Sequence, residues 1–214
     1  MEKNIKILLQ VIVTVIFLFF SYLLLQLSLP YLSFDNKIAF LGTKQDVINI
    51  DAWRLSFYLH VFSSIFVLLA GFFQFFKASF QRNLKFHRFL GKLYIILILF
   101  ISGPSGLLMA FYANGGFWTK LGFIILGIGW LAFTALAYYH IRQKNIESHR
   151  NFMIRSYAFT LSAVTLRGWM FIFSWFYLDY YTSYLIVAWL SWSLNLVIAE
   201  IIIAYSLNKS EYTA

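Results

Sequence analysis

A chain of 214 residues that is 61% apolar, 21% aromatic and only 12% charged is too apolar for a water-soluble domain, in which charged residues make up about a quarter. The net charge of +9 does not point to nucleic acid. Its basic residues sit in short loops beside apolar stretches, where a positive-inside bias puts them, so the expected partner is the lipid bilayer and no nucleic acid. The absence of cysteine excludes disulfides, thiolate nucleophiles and cysteine metal sites together.

Two prolines and no low-complexity stretch predict a single transmembrane domain over residues 1–214. Crossing the hydrocarbon takes about 20 apolar residues. Spans are predicted at about 7–30, 53–76, 88–112, 118–141, 151–176 and 183–206. The fold class is therefore all-α integral membrane, a six-transmembrane-helix bundle. The first run is long for a signal-peptide core and no small-x-small cleavage site follows it cleanly, so it is expected to be a retained helix.

In the second span His60 and Gln74 are fourteen residues apart, within about 40° on a helix, with Ser63, Ser64 and Gly71 near the same stripe. The loop that follows carries Lys77, Arg82, Lys85, Arg88 and Lys92 without an acid. The third span restarts at His87-Arg88, and His87, Gly91, Tyr94 and Ser105 share one side, with a kink expected at Gly103-Pro104. Gly115-Gly116 after Asn114 is a turn that lacks the helix start and Lys of a phosphate loop. Arg142, Lys144 and Arg150 form the next basic loop.

The fifth span restarts at His149-Arg150. His149 and Arg167 are eighteen residues apart, five full turns, and Ser156, Thr160 and Ala163 fall along the line joining them. Glu200 in the sixth span should lie at the depth of Arg155. A guanidinium in lipid needs a counter-charge, so the two are expected to pair as a structural ion pair. Spans two-three and four-five look alike, each pair turning through a basic loop into His-Arg with Tyr94 or Tyr157 about two turns on, as a duplicated hairpin would.

Lys3, Lys6 and the two basic loops lie on one side. The other side has Lys37, Lys44, Arg54 and Lys120 diluted by Asp35, Asp46, Asp51 and Asp179, so both termini are expected to be cytoplasmic.

Polar groups in lipid are where chemistry is expected. One reading is a single b-type haem, with His87 and His149 as axial ligands and Arg88 and Arg150 beside the propionates; the iron would be the only metal, and His140 is a substitute ligand. The other half has only His60, so a second haem is excluded. A second reading is a transporter or binding site for an anionic or amphipathic molecule, using His60 with Arg167 and the cluster of His87, His149, Gln74, Arg155 and Glu200. A third is headgroup anchoring by the His-Arg pairs. Ser, His and Asp do not recur as a triad would require.

From Trp53 to about Trp169 the chain resembles an uncharacterised bacterial membrane family, catalogued as a domain of unknown function. The matching pieces are the helix around His60, Gly71-Phe72-Phe73-Gln74-Phe75, and His87-Arg88-Phe89-Leu90-Gly91-Lys92-Leu93-Tyr94. Trp130-Leu131, then His149-Arg150-Asn151-Phe152-Met153-Ile154-Arg155-Ser156-Tyr157, and finally Thr165-Leu166-Arg167 complete them. Family members often carry proline where this chain has Phe73. The resemblance implies an integral protein of the bacterial inner membrane with a family-like core over about 53–170, and implies no reaction. The leading expectation is a single-haem or quinone-linked redox membrane protein. The alternatives are a small transporter or binding protein, and a structural membrane subunit with a partner subunit.

Overall fold

The structure, a computed structural model, describes residues 2–75 and 83–211. Lys77 and Arg82 lie outside the described residues, as do the side chains of Lys3 and Lys6. The order is α1 (Glu2–Ser28), two 3-10 turns (Leu29–Ser33 and Ala39–Lys44), α2 (Asp51–Phe75) and α3 (Leu84–Leu97). A π-helical turn (Ile98–Ser102), α4 (Gly103–Phe111), α5 (Gly116–Arg142), α6 (Ile146–Thr160), α7 (Ser162–Trp175) and α8 (Tyr180–Glu211) follow.

Among the described residues five passes are long and apolar enough to cross a bilayer: Gln10–Ser33, Asp51–Gln74, Leu84–Phe111, Gly116–Arg142 and Tyr180–Ser206. The stretch expected at 151–176 differs. It starts earlier, at Ile146, and is broken at Leu161 into α6 and α7, each too short to cross alone. The break is a crowded carbonyl. Leu161 O accepts from the backbone N–H of Val164 (2.9 Å) and of Thr165 (3.0 Å), which tightens the turn, while the Thr165 hydroxyl donates to the Ser191 carbonyl of α8 (2.7 Å).

The kink in the third pass is the π turn immediately before Pro104. Proline has no N–H and its ring displaces the carbonyl a turn earlier, so a wider turn absorbs the mismatch. Only glycine fits at 103, where a Cβ would stand 2.4 Å from both the Ile98 carbonyl and the Leu131 side chain.

α3 and α6 start one turn before their His-Arg pairs, and in the same way. The side chains of Asn83 and Asn145 cap the helices by accepting from the N–H of Phe86 (3.2 Å) and Ser148 (3.0 Å). The N–H groups of His87 and His149 bond the carbonyls of the same asparagines, 3.1 Å each. This shared Asn-x-x-x-His-Arg start extends the resemblance between the two hairpins.

α5 packs closely along α6, α2 packs on α3 and α4, and α8 lies across α5, α6 and α7. α1 is peripheral. It buries Phe17, Ser21 and Leu24, with Phe17 stacked 3.6 Å from Phe72, and turns the rest of its apolar surface outward, as a lipid-facing helix does. At the basic end, where α3 and α6 begin, α6 touches α2 and the interior is one contiguous core. Beyond Leu161, α7 packs mainly on α8 and touches α1.

Residues 29–50 form a cap at the opposite end, built on Tyr31, Leu41, Val47, Ile48, Trp53 and Phe57. Lys44, 2% exposed, pins this cap. Its Nζ donates to the Tyr112 carbonyl at the end of α4 and to the Asn114 side chain, where a helix C-terminus favours a cation. Burial holds its amine below the usual lysine range, with Asp46 opposing the shift and Lys120 adding to it. Asp179 starts α8 by accepting the Thr182 N–H (2.9 Å), and bonds from Thr182 hold its carboxyl below the usual range.

Candidate functional site

The centre of the bundle is a closed ring of hydrogen bonds. The Thr134 hydroxyl donates to the Trp130 carbonyl (2.7 Å), so it must accept from Ser156 (2.7 Å). Ser156 then accepts from Tyr94 (2.9 Å), Tyr94 from Thr160 (2.8 Å), and Thr160 from the Trp130 indole N–H (3.0 Å). Each hydroxyl donates once and accepts once, which satisfies every member. The ring ties α3, α5 and α6 together, and all of Tyr94, Trp130, Thr134, Ser156 and Thr160 are buried. Helix phase puts Tyr94, Ser156 and Thr160 on inward stripes but misses Thr134. Its signal was being the only hydroxyl besides Thr119 and the tyrosines in an apolar helix.

At the basic end the Gln74 amide donates to the His87 carbonyl (2.9 Å), joining the end of α2 to the start of α3. His149 Nδ1 donates to the Ala137 carbonyl (2.8 Å), which leaves Nε2 as an acceptor. His87 and His149 are electrostatic neighbours, while Arg88 and Arg150 are exposed. The His140 ring stacks on Phe152 at 5.2 Å. Among the described residues no group of three or more His, Asp or Glu is placed to hold a metal.

A haem between α3 and α6 does not fit. Above the two histidines the space is filled by the rings of Tyr94 and Tyr157, both packed on Gly71, where a Cβ would stand 2.8 Å and 2.4 Å from them. Leu90 and Met153 complete the same buried cluster. Tyr157 also donates to the Leu68 carbonyl (3.3 Å), so its ring is tied to α2. Arg155 and Glu200 meet in a two-pronged ion pair, Nε to Oε1 at 2.6 Å and Nη2 to Oε2 at 2.8 Å, with Arg155 over the Phe152 ring. The Glu200 carboxylate supplies the Arg155 guanidinium with its counter-charge inside the bundle.

The cap-end half is different, because its polar groups have unused bonding capacity. His60 Nδ1 donates to the Ser102 carbonyl (2.8 Å), opened by the π turn, and Ser63 meets the Ser102 hydroxyl at 2.5 Å. A carbonyl only accepts, so Nδ1 carries a proton, and in the neutral ring Nε2 is a free acceptor. The ring lies against Gly106, where a Cβ would stand 2.6 Å away, and meets Trp130 edge-on at 6.4 Å.

Arg167 faces the same region, within electrostatic reach of His60, Tyr31 and Tyr184. It is exposed, and its one bond is Nη1 to the Ala163 carbonyl on its own helix (2.7 Å). Among the described residues no acid pairs with it, which leaves four of the five guanidinium N–H groups unclaimed. The Tyr184 hydroxyl makes no hydrogen bond among the described residues. Tyr31 Oη accepts the Phe40 N–H (3.3 Å) and its own proton is unclaimed there. A surface groove lined by Thr43, Asn114, Gly115, Tyr180 and Tyr181 lies at this end, and Tyr180 stacks on Tyr184 one turn deeper (5.8 Å). Tyr31 and Tyr184 were not legible as site residues, because tyrosines near span ends read as interfacial anchors.

No curated protein and no solved structure matches the chain. A family model described as "Predicted membrane protein (DUF2306)" matches residues 57–203, from the first turns of α2 almost to the end of α8. That range holds His60, both His-Arg pairs, the hydroxyl ring, Arg167 and Tyr184, and leaves out α1 and the cap with Tyr31. The chain therefore belongs to this family of multi-pass membrane proteins of unknown function.

Proposed function

We propose that the protein binds an anionic, amphipathic small molecule in the cap-end half of its bundle, with the anion on Arg167. The protein lies in a bacterial inner membrane, crosses it six times and keeps both termini in the cytoplasm. α6 and α7 together make the fifth crossing, since α7 continues α6 toward the cap end beyond a single tight turn. The charge distribution supports this orientation. Lys85, Arg88, Lys92, Arg142, Lys144 and Arg150 crowd one end, whereas at the other Arg54 is paired with Asp51 (2.7 Å) and Lys44 is buried.

Arg167 carries the reading. A lone guanidinium within a membrane helix costs on the order of 2.5–3.5 kcal/mol or more, and the bundle supplies it with no counter-charge among the described residues. An anion supplied from outside offsets that cost, and a guanidinium fork suits its oxygens. The hydroxyl ring closes the way to the basic end, so this conformation offers a binding site rather than a through-path. The slot that a haem between α3 and α6 would need is filled by Tyr94 and Tyr157.

The test is titration of the protein in phosphatidylcholine nanodiscs with dodecyl phosphate, dodecanoate and dodecyltrimethylammonium, followed by tryptophan fluorescence. The anions should bind and the cation should not, and Arg167→Gln should weaken anion binding about tenfold or more. Equal binding by Arg167→Gln, or a preference for the cation, sinks the proposal.

A further inference from the structure

Where α2 leaves the cap, a groove of about 520 Å3 opens on the surface, walled by Phe34, Ala52, Leu55 and Tyr58 and carrying Asp51 and Arg54. Two contacts hold its members in one place. Arg54 Nη2 donates to Asp51 Oδ1 at 2.7 Å, and the Phe34 ring stands 5.1 Å from that of Tyr58. The groove thus joins the cap to the first two turns of α2.

Its depth follows from the span. The crossing runs from Asp51 to Gln74, so Asp51 and Arg54 stand where head groups begin, and Tyr58 lies one turn deeper than Arg54. Phe34 has φ 54°, a left-handed conformation that a bulky side chain avoids, and its ring is exposed. A disfavoured backbone that keeps an aromatic ring on the rim of a groove points to a use for that ring.

The groove carries both signs of charge, and neither is used up. Asp51 is 87% exposed and makes no bond through Oδ2 among the described residues. The bond between the two takes one of the five guanidinium N–H groups of Arg54. An anionic head group would answer Arg54 and be repelled by Asp51, and a sugar head group would leave both charges unanswered. A zwitterion answers both. Phosphate oxygens accept from the Arg54 fork, and a primary ammonium donates to the Asp51 carboxylate, which a trimethylammonium group cannot do. The apolar walls suit the glycerol and the first methylenes of the chains.

We propose that this groove binds a phospholipid with a phosphoethanolamine head group, its phosphate on Arg54 and its ammonium on Asp51. The acyl chains run past Leu55 and Tyr58 along α2. Apart from Tyr58, the lining residues precede the family-matched range of 57–203. The site shares no residue with the Arg167 reading, so either can fail without the other.

The test is native mass spectrometry of delipidated protein titrated in mild detergent with dioleoyl phosphatidylethanolamine, phosphatidylglycerol and phosphatidylcholine. Phosphatidylethanolamine should bind about fivefold tighter than the other two, the effect of one exposed ion pair. Asp51→Asn should remove that preference with the melting temperature nearly unchanged, and Asp51→Glu should keep it. Arg54→Gln should weaken all three lipids. Phe34→Gly relaxes the backbone and removes one wall, so it should weaken all three without lowering the melting temperature. A preference for phosphatidylglycerol or phosphatidylcholine, or equal affinities, overturns the head-group assignment. A preference that survives Asp51→Asn removes the ammonium from Asp51, and unchanged affinities in both Arg54→Gln and Phe34→Gly show that the groove is not the site.

Discussion

Tyr94 shows how little freedom a hydroxyl has inside lipid. Its ring is fully buried against Gly71, and its hydroxyl stands between Ser156 and Thr160. Tyr94→Phe leaves Ser156 with no donor and Thr160 with no side-chain acceptor except by turning to its own helix. The cost should be about 1 kcal/mol, the usual size of an inter-helix hydrogen bond in membranes, read as a lower midpoint in a detergent or urea unfolding titration. No loss would mean that the ring of bonds contributes nothing to holding α3, α5 and α6. The residue scale is also where helix phase was most informative. It put His60, Tyr94, Ser156 and Thr160 on inward faces and matched Arg155 with Glu200 in depth, because both inferences need only the fixed rise and turn of a helix. It could not reveal that the Thr160 hydroxyl takes the Trp130 indole proton, since that depends on the rotation of one helix against another.

Elements explain why the two halves of the bundle differ. α6 continues the close packing of the basic end, and the tight turn at Leu161 sends α7 against α8 and α1 instead. The cap then closes part of that half, pinned by the buried amine of Lys44. Burial lowers the Lys44 proton affinity in the folded state, so between its folded value and the ordinary lysine value the unfolded chain binds more protons. Over that alkaline window stability contributed by this group rises with pH, and below it the shortfall is constant. Melting curves between pH 8 and 10.5 should therefore differ in slope between wild type and Lys44→Met, with the wild type relatively better off toward high pH. Parallel curves would mean that Lys44 keeps its proton in the cap. None of this was visible beforehand. Lys44 read as one more loop lysine, and the fifth span read as unbroken, because two backbone donors sharing one carbonyl leave no mark on hydropathy.

At the scale of the whole molecule the cysteine-free sequence makes orientation directly measurable. Single cysteines at Ser33 or Thr43 should react with a membrane-impermeant maleimide on intact cells. Cysteines at Lys85 or Lys144 should react only after the membrane is opened. The reverse pattern would turn the protein over and place the Arg167 site on the cytoplasmic side. Composition, span length and the run of basic residues already specify a multi-pass membrane protein with one strongly basic end, since bilayer thickness and surface potential act on the chain one segment at a time. The sequence by itself also determined which few residues carry charge into the apolar stretches. Only the tertiary structure decided what those residues meet. It placed His87 and His149 at helix starts next to a filled core, and among the described residues it gave Arg167 no acid partner. The physical reason is that insertion energies add up along the chain, whereas a site is made between helices whose mutual rotation depends on packing at every contact.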